Sequence, residues 1–400
     1  MDTAIPAQKL SASVGTSGSA IALIDRLLSN AYERRASDIH IDPAYNGLRI
    51  RIRVDGLLED IHLLPIDVHG EVIARLKILA GLRTDEHFKA QDGRFRFIYQ
   101  DFGIDVRISI TPTYYGENAV LRLLSSTIET ATCSNLGMNS SQQELVTRAL
   151  SRPHGMILST GPTGSGKTTT LYTLIRVLAA KPLSLVTIED PIEYSLAGVN
   201  QIQANEKTGL NIANGLRSVL RQDPDVLMVG EIRDGETARL AVNAALTGHL
   251  LFSTLHTNGA VATIPRLIDM GIEPYLLSAT LRLIIAQRLI RRVCSDCTES
   301  HPLQPIEAAE FESSDLVPTQ LSRGRGCERC NGTGYRGRIG IFEMLSVTQT
   351  FQEGVTAKAP LSELSRIAES DGMKSLELQA LTLAADGLTT LEEVTRIRYE

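Results

Sequence analysis

The chain has 400 residues, 43% hydrophobic and 22% charged, which is the balance of folded domains and excludes wholesale disorder. Lys and Arg total 40 against 46 Asp and Glu, a net charge of −6, so no direct nucleic-acid partner is expected. No run approaches the ~18 apolar residues of a spanning helix. The first twenty residues lack the basic start and apolar core of a secretory signal. The expected location is cytoplasmic, with any membrane role peripheral and through a partner.

Residues 1–19 are small and polar and read as a flexible arm. Ile21, Ile24, Leu27, Leu28 and Ala31 follow at spacings of three and four, which gives one apolar helix face. Ser37 and Asp38 are expected to end that helix. The period then changes to two over Asp38–Asp42, Leu48–Val54 and Leu58–Leu63, with turns at DP, NG and DG pairs. A helix over Val68–Ala80 interrupts before three more strands, Arg94–Tyr99, Ile104–Ile110 and Ala119–Leu124. Residues 20–127 therefore form an α+β domain on an antiparallel sheet.

A linker over 128–139, rich in Ser, Thr, Asn and Gly, leads to a second grammar. Gln142–Ser151 is a helix. Gly155–Ser159, Leu183–Ile188, Val226–Val229 and Leu250–Thr254 are short apolar runs separated by helical stretches, notably Lys167–Ala179 and Gly235–Leu246. Such alternation predicts an α/β fold with a mostly parallel sheet covered on both faces. The core is expected over 140–290, a cysteine-bearing subdomain over 291–340, and a polar helical region over 341–400.

Gly161-Pro162-Thr163-Gly164-Ser165-Gly166-Lys167-Thr168 matches G-x-x-x-x-G-K-[ST], with a strand running in and a helix running out. The glycines allow a tight loop whose N–H groups face phosphate, and the helix N-terminus adds positive potential. Lys167 supplies a full charge at the β/γ-phosphates and Thr168 a hydroxyl for Mg²⁺, with Thr169 next in the nucleotide-binding run. Phosphoryl transfer also needs an acid for Mg²⁺ and a group to orient water. Leu227-Met-Val-Gly-Glu231 is an apolar strand ending in an acid, and Glu231 is assigned to metal or water. Glu193, in Glu189-Asp190-Pro-Ile-Glu193, competes for the activation of water. His249 and His256 flank the apolar strand Leu250–Leu255; the residues alone leave them between hydrogen-bonded strand positions and donors to the γ-phosphate.

Five cysteines occur, and four of them form two C-x-x-C pairs, Cys294/Cys297 and Cys327/Cys330, enclosing 29 residues. Two such knuckles bring four thiolates around one tetrahedral Zn²⁺ and leave no open position, so the site is structural. Over 282–340 nine arginines face seven acids, too small an excess to argue for nucleic acid.

These pieces in this order resemble the type II secretion and type IV pilus assembly ATPases (GspE/PilB type). The carrying stretches are Ala36-Ser-Asp-Ile-His-Ile-Asp-Pro43, Arg51-Ile-Arg-Val-Asp-Gly56, Gln91-Asp-Gly-Arg94 and the phosphate loop. Thr187–Glu193, Leu220–Asp234, Thr247-Gly-His249 to Asn258, the cysteine quartet and Gly334–Gly340 continue the match. The resemblance implies a RecA-like ATPase domain preceded by a PAS-like α+β domain and a ring-shaped homo-hexamer. It also implies ATP, Mg²⁺ and Zn²⁺, and work with platform proteins at the inner membrane. By the same match Glu189–Glu193 is an Asp box, Leu227–Glu231 a Walker B strand, and Gly248–His256 a His box that makes both histidines γ-phosphate sensors. Arg107 and Arg122 match the first domain's arginines, which reach the phosphates when the domains close.

The pattern has departures. Residues 1–35 precede the first motif, where assembly members usually carry a further platform-docking domain, so another surface is expected to dock. Gly259 stands where an acid is common. The retraction branch lacks the cysteine quartet, which places this chain on the assembly or secretion side. The competing readings are a retraction or DNA-uptake motor and a non-hydrolysing nucleotide-dependent regulatory module. The latter would require Lys167, Thr168, Glu193 or Glu231 to be misplaced.

Overall fold

A computed structural model describes residues 20–124, 131–312, 316 and 318–399. The arm over 1–19 and part of the linker lie outside them. The chain divides into two compact units, with the boundary at Thr127/Ile128.

The first unit holds helix α1 (Ala20–Glu33), strands β1 (Ala36–Ala44), β2 (Gly47–Val54) and β3 (Leu57–Leu64), and helix α2 (His69–Leu79). Strands β4 (Gln91–Tyr99), β5 (Phe102–Thr113) and β6 (Gly116–Leu124) complete it. The six strands form one antiparallel sheet in the order β3-β2-β1-β6-β5-β4. The two-residue period decides its faces. Ile39, Ile41, Ile50, Ile52, Val106 and Ile108 turn inward against Leu27 and Leu28 of α1 and Val72 and Leu76 of α2. The charged positions between them form the outer face. Ser37 and Asp38 do not end α1. Its last residue is Glu33, Arg35 turns the chain with a positive φ of 56°, and Ser37 and Asp38 already belong to β1.

The second unit begins with α3 (Ser140–Leu150), β7 (Gly155–Thr160), α4 (Lys167–Ala179), β8 (Leu185–Glu189) and β9 (Asn200–Gln203). It continues with α5 (Ile212–Val219), β10 (Val226–Val229), α6 (Gly235–Leu246), β11 (Leu250–Leu255), α7 (Thr263–Asp269), α8 (Pro274–Thr280) and β12 (Leu281–Val293). Then come β13 (Thr298–Pro302), α9 (Pro305–Ala308), β14 (Gln320–Gly324), β15 (Tyr335–Ser346), α10 (Gln349–Thr356), α11 (Leu361–Ser370), α12 (Leu376–Ala385) and α13 (Leu391–Tyr399). Seven strands form the main sheet in the order β15-β12-β7-β11-β10-β8-β9, and only the β12–β15 pairing is antiparallel. Alternate residues of β7 show both faces covered: Ile157 packs toward α3 and α4, and Met156 and Leu158 toward α5, α6 and α8.

The boundaries expected at 290 and 340 cut through two core strands. β12 runs to Val293 and β15 starts at Tyr335, so the cysteine segment is an insertion between neighbours in the sheet. The C-terminal helices are not a polar appendage either. Phe351 and Val355 of α10 and Leu364 of α11 join the main core, while Ala380 and Leu381 of α12 and Val394 of α13 pack with Ile290 and Ile341. Glu393 is fully buried on α13; it accepts from the Arg291 backbone N–H at 2.7 Å and pairs with the Arg291 and Arg396 side chains at 2.7 and 2.9 Å.

Candidate functional site

The parallel strands place their C-terminal ends along one edge of the sheet, the usual side for ligands in open α/β folds. There β7 runs into Gly161. Three loop glycines take positive φ, 142° at Gly161, 79° at Gly164 and 89° at Gly166, a backbone that side chains disfavour. Space reinforces this. A Cβ would lie 2.5 Å from the Gln287 carbonyl at Gly161, and 2.7 Å from Gln287 Nε2 at Gly166. Gln287 is buried on β12, and its Oε1 accepts from Thr170 Oγ1 on α4 at 2.8 Å, which ties the loop and its helix to the sheet.

Lys167 is buried at the start of α4, and its Nζ donates to the carbonyls of Gly161 and Pro162 at 2.8 and 2.9 Å. Burial pushes its pKa down to about 8; the Glu231 charge works against that shift and Arg288 adds to it. Ser165 Oγ is buried with no hydrogen-bond partner among the described residues. An orphaned hydroxyl and a cation whose hydrogen bonds among the described residues go to carbonyls, in one Gly-rich loop, fit an incoming phosphate. Thr168 is half-buried in the first turn of α4.

Glu231 follows β10 by two residues and is mostly buried. Arg233 pairs with its Oε1, and His256 Nε2 lies 3.5 Å from its Oε2. Among carboxylates it is Glu231, not Glu193, whose charge acts on Lys167. Glu193 lies partly buried beyond β8 beside the Tyr172 hydroxyl, to which its backbone N–H is bonded. Glu189 is engaged elsewhere, accepting from Tyr172, from Thr187 Oγ1 at 2.6 Å and from Gln201 Nε2 at 3.2 Å. Burial and the Glu189 charge raise the Tyr172 phenol far above its ordinary range, so it remains a donor. A cavity of about 240 Å³ beside Glu231 is lined by Asp190, Glu206, Asp234, Glu236 and Arg233, and this acidic wall is no place for phosphate.

The two histidines separate. β11 runs parallel to β7 with Leu250 opposite Gly155 and Leu255 opposite Thr160. His256 therefore emerges at the phosphate-loop edge. His249 sits at the other edge, with the six residues of β11, ~20 Å of strand, between the two, and its Nδ1 lies 2.9 Å from the Ala244 carbonyl. The geometry does not bring His249 to this loop, which corrects the expectation of two sensors here.

Sequence reasoning missed Gln287 and Arg288 as parts of the site. Arg288 is buried, and its Nη2 donates to the Asn258 carbonyl at 3.3 Å, just past His256. The available signal was a Gln-Arg pair inside the otherwise apolar run Leu283–Ile290. Thr257 is a third miss: its N–H donates to Thr160 Oγ1 at 2.9 Å and fixes the His256 loop to the end of β7.

Arg107 and Arg122 lie in the first unit, directly opposite each other on β5 and β6. Arg122 Nε donates to Asp38 Oδ1 at 3.1 Å.

The four quartet sulfurs all lie within 4.8 Å of one another. Cys294–Cys327, Cys297–Cys330 and Cys327–Cys330 are 3.9, 3.8 and 3.7 Å apart. Tetrahedral Zn–S bonds of ~2.3 Å require S···S separations of ~3.8 Å, so the cluster is compatible with Zn²⁺. The backbone N–H groups of Cys327 and Gly334 reach Cys330 Sγ at 3.1 and 3.3 Å. Burial opposes the Cys330 thiolate, but these donors outweigh it and pull the thiol down to about 6.

An α/β domain with a Gly-rich loop and lysine at the strand ends, and an acid just past a strand two places along the sheet, defines a P-loop nucleotide-binding protein. The family model for type II/IV secretion system proteins matches residues 15–396, and the chain belongs to that family. The type II secretion system protein E of Pectobacterium carotovorum is 44% identical over 95% of this chain and 76% of its own length. The type IV pilus assembly ATPase PilB of Thermus thermophilus is 42% identical over 93% of this chain, which spans 42% of that relative. The solved structure of the pilus retraction motor PilT with bound ADP is similar at a TM-score of 0.63 and 29% identity, over 94% of this chain and 96% of that one. Among the described residues no helix is long and apolar enough to cross a membrane.

Proposed function

We propose that the chain is an ATP-hydrolysing motor subunit that powers a type II secretion system or type IV pilus assembly from the cytoplasmic face of the inner membrane. The observation that carries this is Lys167, buried in a loop with an orphaned Ser165 hydroxyl and under the charge of Glu231. Gly161–Thr169 cradle the phosphates, with Lys167 at the β/γ positions. Thr168 and Glu231 hold Mg²⁺, which when bound offsets charge between the phosphates. Glu231 orients the attacking water, His256 senses the γ-phosphate, and Glu193 stands as the competing base. Arg107 and Arg122 are the arginines read as phosphate-directed, a guanidinium fork being suited to phosphate oxygens. The cysteine quartet holds a structural Zn²⁺.

The working form is a homo-hexamer against inner-membrane platform proteins, with no direct nucleic-acid partner. Secretion or assembly is favoured over retraction because relatives of that kind are 44% and 42% identical, against 29% for the retraction motor.

The test is Lys167→Ala in the native chromosomal copy. Loss of specific proteins from the medium with pili intact assigns secretion; loss of pili with secretion intact assigns assembly. Unchanged secretion and pili would contradict the reading.

A further inference from the structure

Glu231 is the carboxylate read as the acid of the site, yet each of its oxygens has a nitrogen-bearing partner from the same unit. Arg233 pairs with Oε1, and His256 Nε2 stands 3.5 Å from Oε2. A guanidinium against a carboxylate occupies its lone pairs and offsets its charge. It also repels a second cation approaching from that side. The Arg233 pair therefore works against the role of Glu231.

The two partners differ in freedom. The Glu231 side chain is 20% exposed and that of Arg233 is 70% exposed. The backbone that carries them is pinned. The Gly230 N–H donates to the Ile188 carbonyl at 2.8 Å, the Ile232 N–H donates to the Thr254 carbonyl at 3.0 Å, and Ile232 lies in the core. The long Arg233 side chain is the part left to move. A second seat lies beside it, because Arg233 lines the acidic cavity next to Glu231. Of that wall, Asp234 is committed to the cap of α6, accepting from the Thr237 N–H at 2.8 Å, and Glu236 pairs with Arg217. Asp190, just past β8, and Glu206, just past β9, are the wall carboxylates outside any ion pair among the described residues. Their charges already act on Arg233.

We propose that Arg233 is a gate on Glu231: paired with the carboxylate it holds the acid back, and in transferring to Asp190 and Glu206 it releases the acid for Mg²⁺ and water. This rests on the reading of Glu231 as the acid of an ATP-hydrolysing site. The cavity, which is no place for phosphate, thereby gains a use as the second seat of the guanidinium. The transfer needs only side-chain rotation. An exposed ion pair is weak, so the gate acts by a few-fold and not by orders of magnitude.

The test measures two quantities in the full chain: binding of a fluorescent ATP analogue, with Mg²⁺ and with EDTA, and steady-state ATP hydrolysis. The variants are Arg233→Gln, Asp190→Asn with Glu206→Gln, and all three changes together. Arg233→Gln should tighten binding with Mg²⁺ and raise kcat, each by about two- to fivefold, and leave binding in EDTA unchanged. The paired acid variant removes the second seat and should lower Mg²⁺-dependent affinity and kcat by a similar factor. In the Arg233→Gln background the acid changes should do almost nothing more, because their effect runs through Arg233. Melting temperatures accompany each variant, and Glu206→Gln alone carries the acid arm should the pair melt early. Mg²⁺-dependent affinity and kcat at or below wild type in Arg233→Gln would overturn the proposal, as would an acid effect that persists without Arg233. Normal turnover in Glu231→Gln would instead overturn the reading of Glu231, and the gate would fall with it.

Discussion

Lys77 and Lys167 are both buried, one in each unit, and their surroundings differ in kind. Lys77 is fully covered on α2, with its Nζ 2.7 Å from Glu117 Oε1 and donating to the Glu86 carbonyl at 2.6 Å. His87 Nδ1 stands 2.8 Å from the other Glu117 oxygen. This cation is matched within the protein. Lys167 is covered almost as well, yet its hydrogen bonds among the described residues go to two carbonyls of its own loop. A buried charge with an internal partner holds a fold together, whereas one without such a partner is kept for a ligand. The cysteine quartet inverts the signs, gathering four sulfurs in an arrangement compatible with a dication.

The quartet gives the largest expected effect. Cys294→Ser with Cys327→Ser should remove zinc and unfold the insertion, since structural zinc contributes ~10–16 kcal/mol of binding free energy to folding. Metal content and a melting curve check this, and a variant that keeps one zinc with a normal melt would contradict the assignment. Next comes Glu117→Gln, which leaves the Lys77 charge buried without its carboxylate and should destabilise the first unit by about 3–5 kcal/mol while sparing the second. Thermal unfolding followed by hydrogen exchange in each unit would locate the loss.

The smallest effect is a pH dependence at Lys167. Its pKa, pushed down by burial to about 8, implies a charged ammonium below that pH and a neutral amine above it in the free protein. Nucleotide phosphates favour the charged form, so binding above pH ~8 must take up a proton. Affinity for a fluorescent ATP analogue should be flat up to that pH and then fall by up to about tenfold per unit. A flat profile to pH 9.5 would contradict a Lys167 ammonium depressed by burial more than the Glu231 charge restores it.

What was legible in the sequence was local. The period of two revealed the first sheet because its inner face is isoleucine and valine while its outer face is charged. The phosphate loop is contiguous, and each cysteine pair is a short repeat, so spacing alone exposed them. What escaped was adjacency. Asp38 and Arg122 are 84 positions apart, and Thr170 and Gln287 are 117 apart. No spacing rule links them; only strand order does. The same holds for His249, which looked equivalent to His256 until the direction of β11 put them at opposite edges. The C-terminal helices read as polar because each buries only a narrow stripe, such as Phe351, Val355 and Leu364, against strands far away in the chain.

The central claim is that Lys167 and Glu231 form one ATP-hydrolysing site, the lysine for the phosphates and the glutamate for chemistry. The most direct measurement compares nucleotide binding and single-turnover hydrolysis in wild type and Glu231→Gln. Electrostatic positioning carries most of phosphoryl-transfer catalysis, so the variant should bind ATP about as tightly as wild type and turn it over at least ~10²–10³-fold more slowly. Turnover close to wild type in Glu231→Gln would contradict the account and transfer the role to Glu193.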